Sequence, residues 1–429
     1  MGAVDAAWLH MDVPTNLMMI TGVLSFDDQV DWDQLRKLVA ERLVDRYPRF
    51  RQRAVEPKIP LGRPCWEDVA VDLDRHLVRT ALPAGPGGAR AGHQELQDLV
   101  SRLMSSPLDR TVPLWQFHLV DGGAGGSAII ARLHHCIADG ISLARVLLSL
   151  GDDPVEVDIR EHVAPRPAPP PATGFGRIAQ IVAAVSLLVV RILTFIRVVT
   201  LPADPRTALK GQLGTAKRAA WSASVPLEDI RAVGRATDTT INDVLVAAMA
   251  GALRRYLHSH DGVVDDVRAA IPFNLRPLDQ PVATTLGNQF GLVFLPMPLT
   301  RASPHERLRQ VSARMDALKQ SEEPTVIYAV ANALGRVPPQ VERAVVEILA
   351  RKATLVLTNV IGPEEPMLMA GVPVTDVMFW VPQSGRVALG ASILSYAGNV
   401  TVGLAVDPAV VVDPDEIVAA FAEELALLS

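Results

Sequence analysis

Cysteine is nearly absent from this chain of 429 residues. Only Cys65 and Cys136 are present, too few for a disulfide framework in so long a chain. The scarcity of cysteine indicates a reducing compartment, so we expect a cytoplasmic protein. A basic segment followed by an apolar signal core is also missing, and Ala6 stands where a myristoylation motif has Ser or Thr. We therefore expect neither an export signal nor an N-terminal lipid anchor.

A strong excess of positive charge is missing as well. The formal net charge is -6 at pH 7, so no global basic field is available to attract a polyanion. The sequence also carries no zinc-finger, RNA-binding or helix-turn-helix signature. Nucleic acid is therefore not an expected partner.

Motifs for binding phosphates, dinucleotides or zinc are not found either. His134, His135 and Cys136 are consecutive and lack the distant partners that complete a metal site. We expect neither a metal ion nor a cofactor.

The length of the chain predicts two domains, because a single core usually stops growing beyond about 250–300 residues. Prolines at positions 165, 167, 169, 170 and 171 interrupt regular structure and predict a linker. We assign residues 1–160 to an N-terminal half, residues 161–212 to a Pro-rich linker with an apolar helix, and residues 213–429 to a C-terminal half.

Both halves have the alternating periodicities of an α/β fold. The N-terminal half has predicted strands at 17–26, 116–120 and 127–133, and predicted helices at 32–46 and 141–148. The C-terminal half has predicted helices at 227–237, 242–257 and 413–428, and predicted strands at 267–273, 291–296, 354–360, 387–396 and 399–406.

An unusually apolar segment, residues 177–201, follows the prolines. Arg191 and Arg197 interrupt it, which makes it short for a transmembrane span. On a helical wheel the arginines and Ser186 share one half, and apolar side chains fill the other. Two interpretations stay open. The segment is either an interfacial helix, whose arginines lie near the anionic head groups of a membrane or lipid droplet, or a crossover helix packed between the domains.

The segment His134-His135-Cys136-Ile137-Ala138-Asp139-Gly140 lies between a predicted strand and a predicted helix. The two-residue period of the strand puts His135 on its apolar side, so His135 is the expected interior base. An imidazole can take the proton of a hydroxyl group that attacks a thioester, and can return it to the departing thiolate. We expect His134 to be structural, Asp139 to pair with an arginine, and Gly140 to permit a tight turn or a close backbone approach. An isolated His-His pair would favour a core histidine pair, but the full HHxxxDG pattern favours acyl transfer.

Five further short motifs accompany the histidines. They are Val4-Asp5-Ala6-Ala7-Trp8-Leu9, Pro113-Leu114-Trp115, Asn242-Asp243-Val244-Leu245, Gly287-Asn288-Gln289-Phe290-Gly291 and Thr358-Asn359-Val360-Ile361-Gly362-Pro363. Their order and spacing make the chain similar, nearly from end to end, to the bacterial wax ester synthase/acyl-CoA:diacylglycerol acyltransferases of the chloramphenicol acetyltransferase-like superfamily. Ile361 stands where members of this family often have Pro.

The resemblance implies two chloramphenicol acetyltransferase-like domains with mixed sheets, and a tunnel at their interface that meets the histidine motif. It implies transfer of a fatty acyl group from acyl-CoA, a co-substrate, to a long-chain alcohol or diacylglycerol, giving wax ester or triacylglycerol plus CoA. Fatty acyl-CoA, the lipid alcohol and a membrane or lipid-droplet surface are then the expected partners. Two other functions stay open: acyl transfer to a different hydroxylated acceptor, as in condensation-like relatives, and non-catalytic lipid transport.

Asn242 and Thr358 are the candidates for stabilising the oxyanion of the reaction. Asn242 stands at a predicted helix start, where Thr240 and Asp243 also fit a capping box, and the two roles are equally open. Thr358 ends an apolar strand, and a turn stabilised by Thr358 and Asn359 would explain the pair without catalysis.

Substrate binding is a further role that the resemblance implies. The family associates Pro113, Leu114 and Trp115 with acyl-CoA or with the tunnel, and Asn359 is another substrate-binding candidate. For Trp115, an equal alternative is a core side chain whose indole N–H is paired.

Two residues bear on the chemistry of the histidine motif. The resemblance makes Arg276 the candidate partner of Asp139, although an exposed arginine is the simpler alternative. Cys136 raises the alternative of an acyl-enzyme intermediate on its thiol. We prefer direct transfer, because Cys136 occupies a variable position of the motif and lacks the orienting groups of a cysteine nucleophile. Asn288 is assigned no catalytic role, since a glycine turn before a strand explains its segment equally well.

Overall fold

The computed structural model describes residues 1–57, 62–83, 92–123, 126–152, 176–261, 265–276 and 286–428. The helices, in chain order, are α1 (Ala3–Met11), α2 (Trp32–Val39), α3 (Leu73–His76), α4 (His93–Met104), α5 (Gly140–Leu148), α6 (Gly176–Thr200), α7 (Leu227–Thr237), α8 (Ile241–Asp261), α9 (Pro304–Lys319), α10 (Glu323–Leu334), α11 (Pro339–Ala350) and α12 (Pro414–Ala426). The strands are β1 (Met19–Phe26), β2 (Gln52–Val55), β3 (Cys65–Asp68), β4 (Leu77–Ala81), β5 (Trp115–Gly123), β6 (Gly126–His134), β7 (Arg218–Trp221), β8 (Val225–Pro226), β9 (Val267–Asn274), β10 (Phe290–Met297), β11 (Leu355–Ile361), β12 (Leu368–Met369), β13 (Val372–Trp380), β14 (Leu389–Tyr396) and β15 (Asn399–Val406).

The first sheet has six strands in the order β12-β13-β1-β6-β5-β4. It is mixed, because β4 and β5 run parallel while the other neighbours run antiparallel. Successive side chains of β6 point to opposite faces of the sheet, and both faces are buried. Ile129 and Leu133 join the core that also contains α2 and α5, and Ile130 joins a smaller core with Trp221 of β7 and Trp380 of β13. The smaller core therefore lies between the two sheets.

The second sheet follows the order β10-β9-β11-β14-β15-β7, with β8 added beside β15, and it is also mixed. Its main core lies against α8, α9 and α12. Most of the apolar residues of α8 are buried, which explains why this helix lacks a polar stripe over its central turns.

Strand β13 comes from the C-terminal part of the chain but belongs to the first sheet. It pairs antiparallel with β1, from Thr21 opposite Trp380 to Phe26 opposite Val374. The segment 213–429 therefore contributes to both sheets. The division into 1–160, 161–212 and 213–429 stays a prediction. The structure adds that β13, from the last of these segments, lies in the first sheet.

The elements predicted from periodicity are confirmed in kind, with small shifts at their ends. The helix predicted at 32–46 begins at Trp32 and continues beyond α2 as a π-helical turn, Ala40–Val44. The prolines between 165 and 171 lie outside the described residues. The apolar segment at 177–201 forms α6, as the sequence predicts.

Candidate active site

The histidine loop, residues 134–139, connects β6 to α5. His134 ends β6 opposite Met19 of β1, and the backbone N–H of His135 donates to the carbonyl oxygen of Met18 at 2.7 Å. Both histidines are buried, as are the residues that follow them up to Asp139. Since buried polar groups need hydrogen-bond partners, the partners of these side chains define the site.

Asp139 connects the histidine loop to the C-terminal half. Its Oδ1 caps α5 by accepting the backbone N–H of Ser142 at 2.9 Å. Its Oδ2 accepts the backbone N–H of Gln289 at 3.1 Å and lies 3.2 Å from Nη1 of Arg276. Arg276 also donates to the Ser142 hydroxyl and to the carbonyl oxygen of Gly287. The predicted Asp139–Arg276 pair is confirmed.

His135 is oriented by the side-chain amide of Asn288. The Nδ1 atom of His135 lies 3.0 Å from Oδ1 of Asn288, and Nδ2 of Asn288 donates to the carbonyl oxygen of His135 at 2.8 Å. An amide oxygen can only accept, so Nδ1 carries the proton. The Nε2 atom of His135 is then unprotonated and has the lone pair of a base.

The ring of His135 is also stacked. The Trp8 indole lies parallel to it, with 3.9 Å between centroids, and Phe290 lies 5.6 Å away. Burial disfavours the imidazolium and lowers the pKa of His135 to about 4, although the carboxylate of Asp139 acts to raise it. His135 is therefore neutral at physiological pH.

His134 has a structural arrangement. Its Nδ1 accepts the backbone N–H of Cys136 at 3.1 Å, so the proton is on Nε2, which points to Oδ2 of Asp12 at 3.7 Å. Burial acts to raise the pKa of Asp12, but interactions with His134 and Arg110 outweigh it and lower that pKa to about 2. The imidazole of His134 thus orders the histidine loop, as predicted.

Asn242 and Asn359 lie together at the start of α8 and the end of β11. Nδ2 of Asn359 donates to Oδ1 of Asn242 at 3.0 Å. Thr358 is buried and donates from its hydroxyl to that of Ser392 at 3.2 Å. Among the hydrogen bonds of the described residues, none joins these side chains directly to His135, and the structure pairs the two asparagines with each other.

The capping box predicted at the start of α8 is confirmed. The backbone N–H of Thr240 donates to Oδ2 of Asp243 at 3.0 Å, and the backbone N–H of Asp243 donates to the Thr240 hydroxyl at 3.2 Å. Capping explains Asp243, and the side chain of Asn242 remains for another role.

A small apolar pocket lies between the two sheets, against α5. Its walls come from β1, α5, β13, the end of β11, and β14. The lining residues are Ile20, Gly22, Leu24, Gly140, Leu143, Ala144, Leu147, Leu148, Val360, Ile361, Gly362, Pro363, Val377, Met378, Phe379, Leu394 and Tyr396. The side chains in this wall are almost all apolar, which suits a hydrocarbon chain.

Within the part of the chain that the structure describes, no group of three His, Cys, Asp or Glu side chains is placed to hold a metal ion.

Comparison with known proteins bears directly on this site. The family model described as the wax ester synthase/diacylglycerol acyltransferase catalytic domain matches residues 1–245, and the WS/DGAT C-terminal domain matches residues 286–429. A protein of Mycobacterium tuberculosis (strain ATCC 25618 / H37Rv), named "Probable diacyglycerol O-acyltransferase tgs2", is 30% identical over 434 residues, 93% of this chain and 92% of that protein.

The chain belongs to the wax ester synthase/diacylglycerol acyltransferase family. It is therefore an acyltransferase of the type that forms wax ester or triacylglycerol, as the resemblance implies.

Solved structures share its fold. The wax ester synthase/diacylglycerol acyltransferase from Marinobacter aquaeolei VT8 superposes with a TM-score of 0.68 at 24% identity, covering 99% of this chain and 97% of that one. The first condensation domain of the calcium-dependent antibiotic synthetase has a TM-score of 0.61 at 19% identity, with 95% and 92% covered. These likenesses confirm the predicted α/β architecture with chloramphenicol acetyltransferase-like halves.

The Pro113-Leu114-Trp115 motif of this family member is part of the core. Leu114 and Trp115 are each 1% exposed, and the indole Nε1 donates to the carbonyl oxygen of Phe50 at 2.8 Å. The carbonyl oxygen of Leu114 accepts the backbone N–H of His134 at 3.0 Å. These contacts fit the alternative of a core side chain with a paired indole N–H, and a substrate contact of the motif stays a prediction. Through the hydrogen bond from His134 to Leu114, the motif also supports the start of the histidine loop.

Gly140 does not have the predicted role. It is not among the residues with positive φ, and an added Cβ would meet side-chain carbons of Val381 and Ile20 at 3.6 and 4.0 Å, which is ordinary contact. Neither a tight turn nor a close backbone approach requires glycine here. The absent side chain instead leaves space in the pocket wall.

Cys136 is fully buried, and burial raises the pKa of its thiol well above the ordinary value. A thiol that resists ionisation is a poor nucleophile. The arrangement favours direct transfer over an acyl-enzyme on Cys136.

Three residues of the site were not predicted: Asp5, Trp8 and Asn288. Oδ1 of Asp5 accepts both the backbone N–H and the Nδ2 group of Asn288, at 3.0 and 2.9 Å. All three lie in motifs that carry the family resemblance, but Asp5 and Asn288 are 283 residues apart. Their position in two shared motifs was the available signal, and no local pattern indicates that the two motifs meet.

Proposed function

We propose that the protein transfers a fatty acyl group from acyl-CoA directly to the hydroxyl group of a long-chain alcohol or of diacylglycerol, with His135 as the general base. One observation carries this proposal: the Nδ1–H of His135 is engaged by Oδ1 of Asn288, so Nε2 is free of its proton in a buried site. No cofactor takes part in the proposed reaction.

In the proposed reaction, Nε2 of His135 takes the proton of the acceptor hydroxyl while the hydroxyl oxygen attacks the thioester carbon. The tetrahedral intermediate collapses with cleavage of the C–S bond, and the imidazolium returns the proton to the departing thiolate, giving ester and CoA. A buried base with a depressed pKa gives up this proton readily. Exclusion of water by the surrounding side chains disfavours hydrolysis of the thioester.

The proposed donors to the oxyanion are Asn242 and Thr358. Asn242 uses its Oδ1 to accept from Asn359, which leaves its Nδ2 group as a donor. The hydroxyl of Thr358 is buried beside that of Ser392, so a reacting oxygen that replaced this partner would be bound in a low-dielectric environment. Asn359 then orients Asn242, and the substrate-binding role predicted for Asn359 stays a prediction.

We assign the hydrocarbon chain of a substrate to the apolar pocket beside α5. Gly140 connects this pocket to the histidine loop, because it directly follows Asp139. The pocket walls offer a chain of methylene groups apolar contacts, each worth about 0.8 kcal/mol on removal from water.

The acceptor is identified by product analysis. Purified protein receives palmitoyl-CoA with either hexadecanol or dioleoylglycerol, CoA release is followed, and the lipids are resolved. Ester from either acceptor, lost in His135→Ala, supports the proposal and ranks the acceptors. Binding of acyl-CoA without any product would contradict it in favour of a lipid carrier. Product from only a different hydroxylated acceptor would favour the condensation-like alternative.

Helix α6 is the basis of a second part of the proposal, a lipid surface as partner. Its window Ala183–Thr200 is long and apolar enough to cross a membrane, and only 6% of it is buried. The large exposed apolar side chains are Val185, Leu187, Leu188, Val189, Val190, Ile192, Leu193, Phe195, Ile196 and Val199. A helix packed between the domains would bury such residues, so this exposure supports the interfacial interpretation over the crossover one.

Two arginines of α6, Arg191 and Arg197, pair with carboxylates at the start of α10. Arg191 lies 3.2 Å from the carboxylate of Glu322, and Arg197 pairs with Glu323 at the start of α10. Val198, on the same side, is buried against Ile327 of α10. The side chains of Arg191 and Arg197 are still 43% and 63% exposed, so contact of these arginines with anionic head groups stays a prediction. The large exposed side chains on the rest of the helix are apolar.

We propose that this apolar side of α6 inserts into the surface of a membrane or lipid droplet, with the protein on the cytoplasmic side. Paired arginines on the protein side favour an interfacial helix over one that spans the bilayer. Because the inserted face is uncharged, binding should depend on apolar burial rather than on anionic lipid.

Vesicle flotation tests this part. Phosphatidylcholine vesicles should float the wild type at low and high salt, and the Leu188→Asp, Val189→Asp double variant should stay at the bottom. Leu188→Asp alone should lose more binding than Ser186→Asp, which adds the same charge on the arginine side of the helix. Equal flotation of all variants would contradict insertion into a lipid surface. So would a dimer that forms without lipid and that the double substitution dissociates.

A further inference from the structure

We infer that Asp5, acting through the side chain of Asn288, is the positioning residue that selects the tautomer of His135 in which Nε2 is the base. The inference rests on the proposed role of His135 as general base. It adds to that role a carboxylate from the first helix of the chain, which carries none of the HHxxxDG residues.

The amide of Asn288 can face His135 in two orientations, which differ in whether oxygen or nitrogen points to the ring. Its Nδ2 group has two acceptors, Oδ1 of Asp5 at 2.9 Å and the carbonyl oxygen of His135 at 2.8 Å. With both N–H groups engaged there, Oδ1 is turned to Nδ1 of His135. Asp5 thereby decides which atom of the amide meets the imidazole.

The orientation has a chemical consequence. If the amide turned over, its N–H would point to Nδ1, which would then have to accept, and the proton of a neutral ring would move to Nε2. A His135 protonated at Nε2 cannot take a proton from the acceptor hydroxyl. In serine proteases, loss of the carboxylate that fixes the histidine tautomer lowers kcat by about 10⁴, which shows how much a tautomer can matter.

Asp5 is built into this place. It is 5% exposed, and its Oδ1 also accepts the backbone N–H of Asn288 at 3.0 Å. Trp8 lies one turn later on the same helix, α1, and stacks on His135. The end of α1 is anchored to α11, since Nδ1 of His10 lies 3.0 Å from Oε2 of Glu342. Helix α1 thus supplies both the orienting carboxylate and the stacking ring from a fixed position.

The variants Asp5→Ala and Asp5→Asn test the inference as a pair. Asp5→Ala removes the acceptor, so kcat should fall about 10- to 100-fold, the range seen for groups that orient metal-bound histidines, with KM for acyl-CoA within about threefold. Asp5→Asn keeps an acceptor oxygen and should restore most of the lost kcat. Asp31→Ala, which removes the cap of α2 away from the site, is the control for general destabilisation.

The tautomer of His135 is the deciding measurement, because a purely structural role of Asp5 would leave it unchanged. In ¹⁵N NMR spectra, assigned with His135→Ala, the wild type should show Nδ1–H, and Asp5→Ala should gain the Nε2–H form. The titratable and charged groups near His135 are His134, Asp139, Arg276, Asp5 itself and Arg49, which interacts with Asp5. Only Asp5 differs between these samples. If Asp5→Ala does not fold, Asn288→Ala serves the same measurement.

The outcomes separate the inference from the proposed function. Normal turnover by His135→Ala would overturn the base itself. An inactive His135→Ala together with unchanged kcat or an unchanged tautomer in the folded Asp5 or Asn288 variant would overturn only the inference.

Discussion

The histidine loop and helix α6 differ in which side chains they bury and which they expose. The loop buries His134, His135 and Asp139, and each of these side chains has a partner. Helix α6 exposes its apolar side chains and uses its arginines to attach itself to the protein. Buried polar groups cost free energy unless they are paired, and large exposed apolar patches mark interaction surfaces. The comparison separates the proposed site of the chemistry, in the histidine loop, from the proposed site of lipid binding, on α6.

Among these predictions, the largest loss of kcat is expected on substitution of Asn242 or Thr358. Both are polar residues outside the histidine loop. Removing one donor to an oxyanion costs about 10²–10³ in kcat. Asn242→Ala and Thr358→Val should each lose about this much, measured as ester formation at saturating substrates. A loss below about threefold in both variants would confine the chemistry to the histidine loop.

A smaller effect is expected when the loop loses its connection to the C-terminal half. Asp139→Ala removes the cap of α5, worth about 1 kcal/mol, and the partner of Arg276. We expect a lower thermal midpoint and a loss of activity of roughly tenfold or more, because the position of His135 is no longer fixed. Asp413→Ala, which removes the cap of α12, should lower the midpoint without this loss. Equal activity losses in the two variants would contradict a specific role of Asp139.

The Asp139–Arg276 pair also shows what could be predicted from sequence. A short motif between a strand and a helix was sufficient to select His135 and Asp139, and the family resemblance pointed to Arg276. The contact between Asp5 and Asn288 was out of reach, because residues 283 apart meet only in the folded chain. The pairing of β13 with β1 was hidden for the same reason, since a strand does not encode which sheet it joins.

Helix α6 shows a different limit. Its length, its apolar residues and the side that its arginines share were predicted from periodicity. Which way that side faces depends on Glu322 and Glu323, which lie more than a hundred residues further along the chain, and amphipathicity alone does not indicate it.

The apolar pocket offers a comparison with the apolar surface of α6. An added Cβ at Gly22 would meet Met378, Phe379 and Leu147 at 3.7 to 3.8 Å, so Val at this position should fill part of the pocket. We expect Gly22→Val to lower kcat/KM severalfold more for a C16 chain than for a C8 chain, with unchanged vesicle flotation. An unchanged ratio of kcat/KM for the two chain lengths would contradict the assignment of the hydrocarbon chain to this pocket.

The smallest effect is expected from pH. Because burial lowers the pKa of His135 to about 4, the base stays neutral well below 6.5, the ordinary value for histidine. The value of kcat/KM should therefore change by less than about twofold between pH 5.5 and 8 and should fall only on approach to pH 4. An acid limb centred near 6.5, in protein shown to be folded at each pH, would contradict the burial of the base.

The central claim is that a buried base does the chemistry and an exposed helix collects the lipid, and a single comparison of ester formation tests it most directly. The wild type, His135→Ala and the Leu188→Asp, Val189→Asp variant each receive palmitoyl-CoA, with the acceptor either a soluble short-chain alcohol or dioleoylglycerol in vesicles. We predict that His135→Ala forms no ester from either acceptor, while the α6 variant uses the soluble alcohol normally and loses only the vesicle-borne acceptor. Turnover by His135→Ala, or equal losses with both acceptors in the α6 variant, would contradict the account.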